Sequence, residues 1–100
     1  MSDDLFNLIY NKSLDLLSRR EHSRKELKEK LLLRFQSDDM IQTVLDKLET
    51  NNLINELRFA EAYTRSRKRK GFGPKKIFYE LSEKGVEESD SNQVILDEGH

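Results

Sequence analysis

The sequence predicts an all-α fold made of tandem three-helix repeats, one complete and a second partly complete. Three observations carry this prediction: apolar residues recur at spacings of three and four, helix-start and helix-stop residues bracket those stretches, and part of the pattern returns after 50 residues. At 100 residues the chain suits one small domain, burying only about 60 to 65% of its unfolded surface. Apolar residues make up 35% and charged residues 37%, enough core-forming side chains for folded structure up to about Gly85.

In the first helix, Leu5, Leu8, Ile9, Leu16 and Leu17 recur at roughly helical spacing. Asp3 and Asp4 supply the expected amino-terminal cap, and the end falls near Arg20. Ser23 with Glu26 forms a capping box for a second helix from Arg24 to about Arg34, whose stripe is Leu27, Leu31 and Phe35. Ser37, Asp38 and Asp39 start a third, carrying Met40, Ile41, Val44, Leu45 and Leu48. It is expected to stop at Asn51-Asn52, because asparagine tolerates the left-handed conformation. Leu53 and Ile54 then fold back onto the bundle.

Asn55 is the expected cap of a fourth helix with Phe59, Ala62, Tyr63 and Ser66 on one face. That helix breaks at Gly71-Phe72-Gly73, and Pro74 opens a fifth, where its missing N–H is harmless. Ile77, Phe78 and Leu81 are expected to face inward, with Gly85 as the stop. At an offset of 50, Ser23, Leu27 and Leu31 match Gly73, Ile77 and Leu81, while Ile41 and Leu48 match Ser91 and Glu98. The expected division is therefore 1–55 as repeat 1, 56–86 as the first two helices of repeat 2, and 87–100 as an acidic, partly disordered tail or incomplete third helix.

The absence of cysteine excludes a disulfide framework and a thiolate site. No apolar run is long enough to span a bilayer and the amino end is acidic, so a cytoplasmic location without membrane contact is expected. No catalytic constellation appears, and no cofactor or metal is expected. His22 lies in an inter-helix turn and His100 at the end, Glu80 and Glu83 lack a pocket, and Gly71-Phe72-Gly73-Pro74 lacks the context of a phosphate loop.

The net charge of −1 conceals segregation. From Arg65 to Lys76 there are seven basic residues and no acidic one, and from Glu80 onward there are seven acidic residues and one lysine. Arg65, Arg67, Lys68, Arg69, Lys70, Lys75 and Lys76 are the candidate site for carboxylates or phosphates. Arg65, Lys68 and Arg69 can form one stripe. A solvated face would usually mix signs, and a membrane-surface helix would need more apolar area than Tyr63 provides. Arg19, Arg20, Arg24 and Lys25 form a weaker second cluster, interrupted by Glu21 and Glu26. Phe72 is open to two readings, core insertion or an exposed partner anchor.

The fragments Leu17-Ser18-Arg19-Arg20-Glu21-His22-Ser23, Glu26-Leu27 and Leu31, Asn52-Leu53-Ile54-Asn55-Glu56, Tyr63-x-Arg65-x-Arg67, Gly73-Pro74-x-x-Ile77 and Glu80-Leu81-x-x-Lys84-Gly85 together resemble the RecX family of bacterial recombination regulators. The resemblance runs from about Leu14 to Val86. It implies a curved array of three-helix repeats that binds the filament of a RecA-type recombinase on DNA and restrains its ATP hydrolysis and strand exchange. It further implies a role in recombination and repair. Direct, non-specific DNA binding is the alternative. Family members usually carry three repeats, and this chain departs from that pattern in having no third.

Overall fold

The computed structural model describes residues 2–97; the expectations for Glu98 and His100 lie outside them. Every regular element among the described residues is a helix: α1 (Ser2–Arg19), α2 (Arg24–Leu32), α3 (Asp38–Thr50), α4 (Glu56–Arg69), α5 (Pro74–Glu83) and α6 (Glu88–Asp97). They form two compact units, 1–55 and 56–100, each with its own core.

In the first unit, α1, α2 and α3 pack pairwise. Ile9, Leu27, Leu31, Ile41, Val44, Leu45, Leu48 and Ile54 are buried together, with Leu5, Phe6, Leu16, Leu17 and Phe35 packed against them. Each such aliphatic side chain contributes roughly 1.5–3 kcal/mol on burial. The starts of α2 and α3 form as the sequence indicates. Ser23 accepts a hydrogen bond from the Glu26 amide while the Glu26 carboxylate accepts one from the Ser23 amide, and Ser37 accepts from the Met40 amide.

The stop at Asn51-Asn52 forms too. Asn52 has φ +58, its amide donates to the Glu49 carbonyl, and the Leu53 amide donates to that of Leu48. These two bonds satisfy carbonyls that the end of a helix leaves orphaned. Gly71 (φ +90) and Gly85 (φ +85) end α4 and α5 through the same pair of bonds, to Lys68 and Arg67 and to Ser82 and Leu81.

The second unit packs α4, α5 and α6 pairwise around Phe59, Ala60, Ile77, Leu81, Val86 and Val94. Where the sequence leaves 87–100 as an acidic tail or an incomplete third helix, residues 88–97 are helical and Val94 is 2% exposed. Ser91 occupies the place of Ile41 and is as buried as an apolar residue, 1% exposed, with an unpartnered hydroxyl. Packing against α4 and α5 thus overrides the polar sequence of α6.

Four smaller expectations fail. α1 begins at Ser2, which places Asp4 inside the helix and not ahead of it. Leu8 is 60% exposed because it sits one residue off the stripe set by Ile9. Leu53 remains partly exposed, so Ile54 alone of that pair enters the core. Phe78 lies outside the core cluster, half-buried at the surface between α5 and α6.

Candidate functional site

The offset of 50 holds in three dimensions. α1 and α4 end at Arg19 and Arg69, and α2 and α5 begin at Arg24 and Pro74. The two corners α1–α2 and α4–α5 are therefore equivalent positions, and they carry the two basic clusters.

At the first corner, carboxylates of the same unit engage the arginines. Arg19 donates to Asp15 at 3.1 Å, and Arg20 donates to both oxygens of Glu26 at 3.2 Å. Arg24 donates to Gln42 and Asp46 at 2.8 Å and to Glu49 at 2.9 Å. Burial works to lower the Arg24 pKa, but the bonds and charges of Glu49 and Asp46 outweigh it and raise the value. Lys25 is exposed.

His22 is fully inside this corner, at 1% exposure. Nδ1 lies 3.0 Å from the Arg20 carbonyl and Nε2 lies 2.8 Å from the Lys30 ammonium. A neutral ring with the proton on Nδ1 satisfies both, donating to the carbonyl and accepting from the ammonium. Burial holds its pKa below the ordinary 6.5, opposed by the bond to the Arg20 carbonyl and assisted by the charges of Arg20 and Lys30.

The second corner lacks those carboxylates. At the offset of 50, Asp15, Glu26 and Asp46 become Arg65, Lys76 and Leu96. Gly73, at the place of Ser23, makes no side-chain cap bond, and no acidic residue lies in the first turn of α5. Lys75 and Lys76 stand there instead, exposed, where the positive end of the helix dipole disfavours cations and favours an anion. With Arg65, Arg69 and Lys70, they give the corner five exposed basic side chains.

Arg67 and Lys68 face the protein. Arg67 donates twice to Glu80, both bonds at 2.9 Å, with the two side chains 20% and 17% exposed. Its guanidinium lies 3.7 Å from the centre of the Phe72 ring. Burial works to raise the Glu80 pKa, but the bonds from Arg67 and Tyr63 and the charges of Arg67 and Lys76 outweigh it and lower the value. Lys68 donates to the Ile95 carbonyl at 3.0 Å, satisfying one of the last carbonyls of α6. The expected stripe of Arg65, Lys68 and Arg69 thus retains its two arginines at the surface.

Phe72 resolves toward core insertion. It follows the left-handed Gly71 that ends α4 and precedes the Gly73 that starts α5. Both places favour an apolar residue folded inward, and its ring packs against the second core beneath Arg67.

Sequence reasoning missed Glu80 as the partner of Arg67, thirteen residues away. The repeat held the clue. Lys30, its equivalent in the first unit, also reaches back into its corner, to His22.

The arrangement can hold an anion by arginine forks and lysine point charges. Among the described residues, no group of three or more His, Cys, Asp or Glu could hold a metal ion. Among the same residues, no helix is long and apolar enough to cross a membrane.

Residues 10–48 match the family model of the first three-helix domain of RecX, and residues 55–95 match that of the second. The chain is 40% identical over 87 residues to the regulatory protein RecX of Pseudomonas putida strain W619, and equally to that of Ectopseudomonas mendocina strain ymp. The aligned region is 87% of this chain and 56% and 58% of those relatives. The chain thus spans a little over half the length of the curated relatives it matches. The crystal structure of RecX from Lactobacillus salivarius superposes with a TM-score of 0.83 at 32% identity, covering 96% of this chain and 62% of that one. A second crystal structure, of a regulatory protein RecX, gives 0.87 at 26% identity, covering 96% and 48%.

Proposed function

The chain belongs to the RecX family of regulatory proteins, and from that premise we propose that it binds the filament of a RecA-type recombinase on DNA. Bound there, it lowers ATP turnover and strand exchange, acting in the cytoplasm by contact and without catalysis of its own. The observation that carries this reading is the α4–α5 corner, where Arg65, Arg69, Lys70, Lys75 and Lys76 are exposed beside an uncapped helix start. Carboxylates of filament subunits or phosphates of the DNA would complete it. Arg67 and Lys68 contribute by holding the corner rigid, and Phe72 by packing beneath it.

The test is recombinase ATPase activity on single-stranded DNA with this chain added, compared with its Arg69→Glu, Lys70→Glu, Lys75→Glu variant. Arg67 is left intact, because changing it would confound binding with stability. Inhibition by the native chain that the variant lacks is the expected result; no inhibition by either would refute the reading.

Direct, sequence-independent DNA binding is the second reading, favoured by the two lysines at the positive end of α5. It requires affinity for bare DNA equal to that for filament, falling steeply with salt and indifferent to sequence. Titrating salt against both targets separates the two readings.

A further inference from the structure

Between α5 and α6 lies a groove of about 310 Å³ lined by Pro74, Lys75, Phe78, Asn92 and Ile95, at the lower end of the size range of ligand pockets, about 300–1,000 Å³. Its counterpart in the first unit is closed. There Arg24 reaches from the start of α2 to Gln42, Asp46 and Glu49 on α3, and Leu45, equivalent to Ile95, is 0% exposed.

Three replacements open the groove in the second unit. Pro74 stands for Arg24, so the strap is missing; Leu96 stands for Asp46, so its anchor is missing; and Phe78 stands for Lys28. The surface left behind is apolar, with Leu96 70% exposed beside it. Its charge balance changes as well: Asp46 of α3 has become Leu96, while Lys75, like its equivalent Lys25, is an exposed cation.

We propose that this groove binds an acidic amphipathic peptide segment of a partner, apolar side chains seated between Phe78 and Ile95 and a carboxylate on Lys75. The segment takes the place of the Arg24 strap with the polarity inverted, an apolar stem carrying an anionic head. Two features favour a segment over a small metabolite: the groove is broadly open to solvent, and its lining supplies a single charge with the polar amide of Asn92, which suits the helix-in-groove mode of recognition. Lys75 belongs both to this site and to the α4–α5 corner, whereas Phe78, Asn92 and Ile95 belong to the groove alone, and the chemistry differs, since the groove needs apolar anchors that phosphates lack.

The test uses two synthetic helical peptides of equal length with the same leucine and phenylalanine stripe, one filled with glutamate and the other with lysine. Each is titrated into isotope-labelled protein while backbone amides are followed by NMR. The acidic peptide is expected to shift Lys75, Phe78, Asn92 and Ile95 and to bind about fivefold tighter than the lysine peptide, the factor supplied by one ion pair near the upper end of the exposed range. The Pro74→Arg, Leu96→Asp variant rebuilds the strap and is expected to abolish the shifts. Phe78→Lys, a single surface change, is the second variant and is expected to do the same with the remaining spectrum unchanged.

Equal binding of the two peptides, or undiminished binding by folded variants, would overturn the proposal. Shifts confined to the residues around Arg65 and Lys70 would also overturn it, as would concentration-dependent shifts at the groove without peptide, which would identify a second copy as the occupant. Reversing Arg69 and Lys70 leaves the groove intact, so failure at the corner and failure at the groove are separately visible.

Discussion

The α1–α2 and α4–α5 corners occupy the same place in two copies of one scaffold, yet their charges are managed in opposite ways. In the first, Arg19, Arg20 and Arg24 have carboxylate partners on α1, α2 and α3, and Ser23 and Glu26 cap the next helix. In the second, Arg67 forms a bidentate carboxylate pair with Glu80, while lysines crowd an uncapped helix start. The backbone and the core stripe are the common inheritance. The two corners differ in which carboxylates a repeat retains, and the density of basic residues alone would have ranked Arg67 with its neighbours.

The sharpest contrast in stability lies between Arg67 and Arg20. Arg67→Ala leaves the partly buried Glu80 without its guanidinium partner and uncovers Phe72, and it is expected to cost about 3 kcal/mol in urea unfolding. Arg20 is the more exposed arginine and its partner Glu26 keeps the bond from the Ser23 amide, so Arg20→Ala is expected to cost less than about 1 kcal/mol. Equal losses would erase the distinction between an arginine that builds a corner and one that decorates it.

Helix caps give the next largest effects. Ser23→Ala removes the capping box and is expected to lower stability by about 1 kcal/mol. The same corner should be the acid-sensitive one. His22 is held neutral with a pKa below 6.5, so the stability it contributes is complete above about pH 6.5 and is lost as pH falls through the lower folded value. Hydrogen exchange of amides around residues 20–24 is expected to accelerate relative to the second corner as pH drops from 7 to 5, because Phe72 stands at the equivalent place and does not titrate. His22→Phe should remove the difference.

Ser91→Ala sharpens the comparison in α6. It deletes a buried hydroxyl that has no partner and is expected to raise the thermal midpoint, by a stabilisation of about 1 kcal/mol. The smallest change expected is at Gly73. Its φ of −83 suits any residue and a Cβ there would meet nothing within 4 Å, so Gly73→Ser restores a cap worth about 0.3 kcal/mol.

Much of the fold was legible because its signals are local. Ser23, Ser37, Pro74, Asn52, Gly71 and Gly85 each mark a helix boundary through their own backbone chemistry, and Leu27, Leu31, Ile77 and Leu81 fall on stripes that period alone defines. What escaped depends on neighbours distant in sequence. Ser91 is buried because α4 and α5 cover it, Arg67 turns inward because Glu80 lies across the corner, and Phe78 turns outward because no strap covers the groove beside it. The basic cluster was visible as composition, but its sorting into braces and exposed cations required the pairing between helices.

Affinity for a preassembled recombinase–DNA filament, measured with matched charge reversals at the two corners, separates them most directly. Arg69→Glu with Lys70→Glu and Lys75→Glu is expected to weaken binding about a hundredfold, taking roughly 1 kcal/mol for each exposed contact, whereas Arg19→Glu with Lys25→Glu leaves it within about twofold. Equal losses from the two variants, or no loss from the first, would contradict binding through the α4–α5 corner.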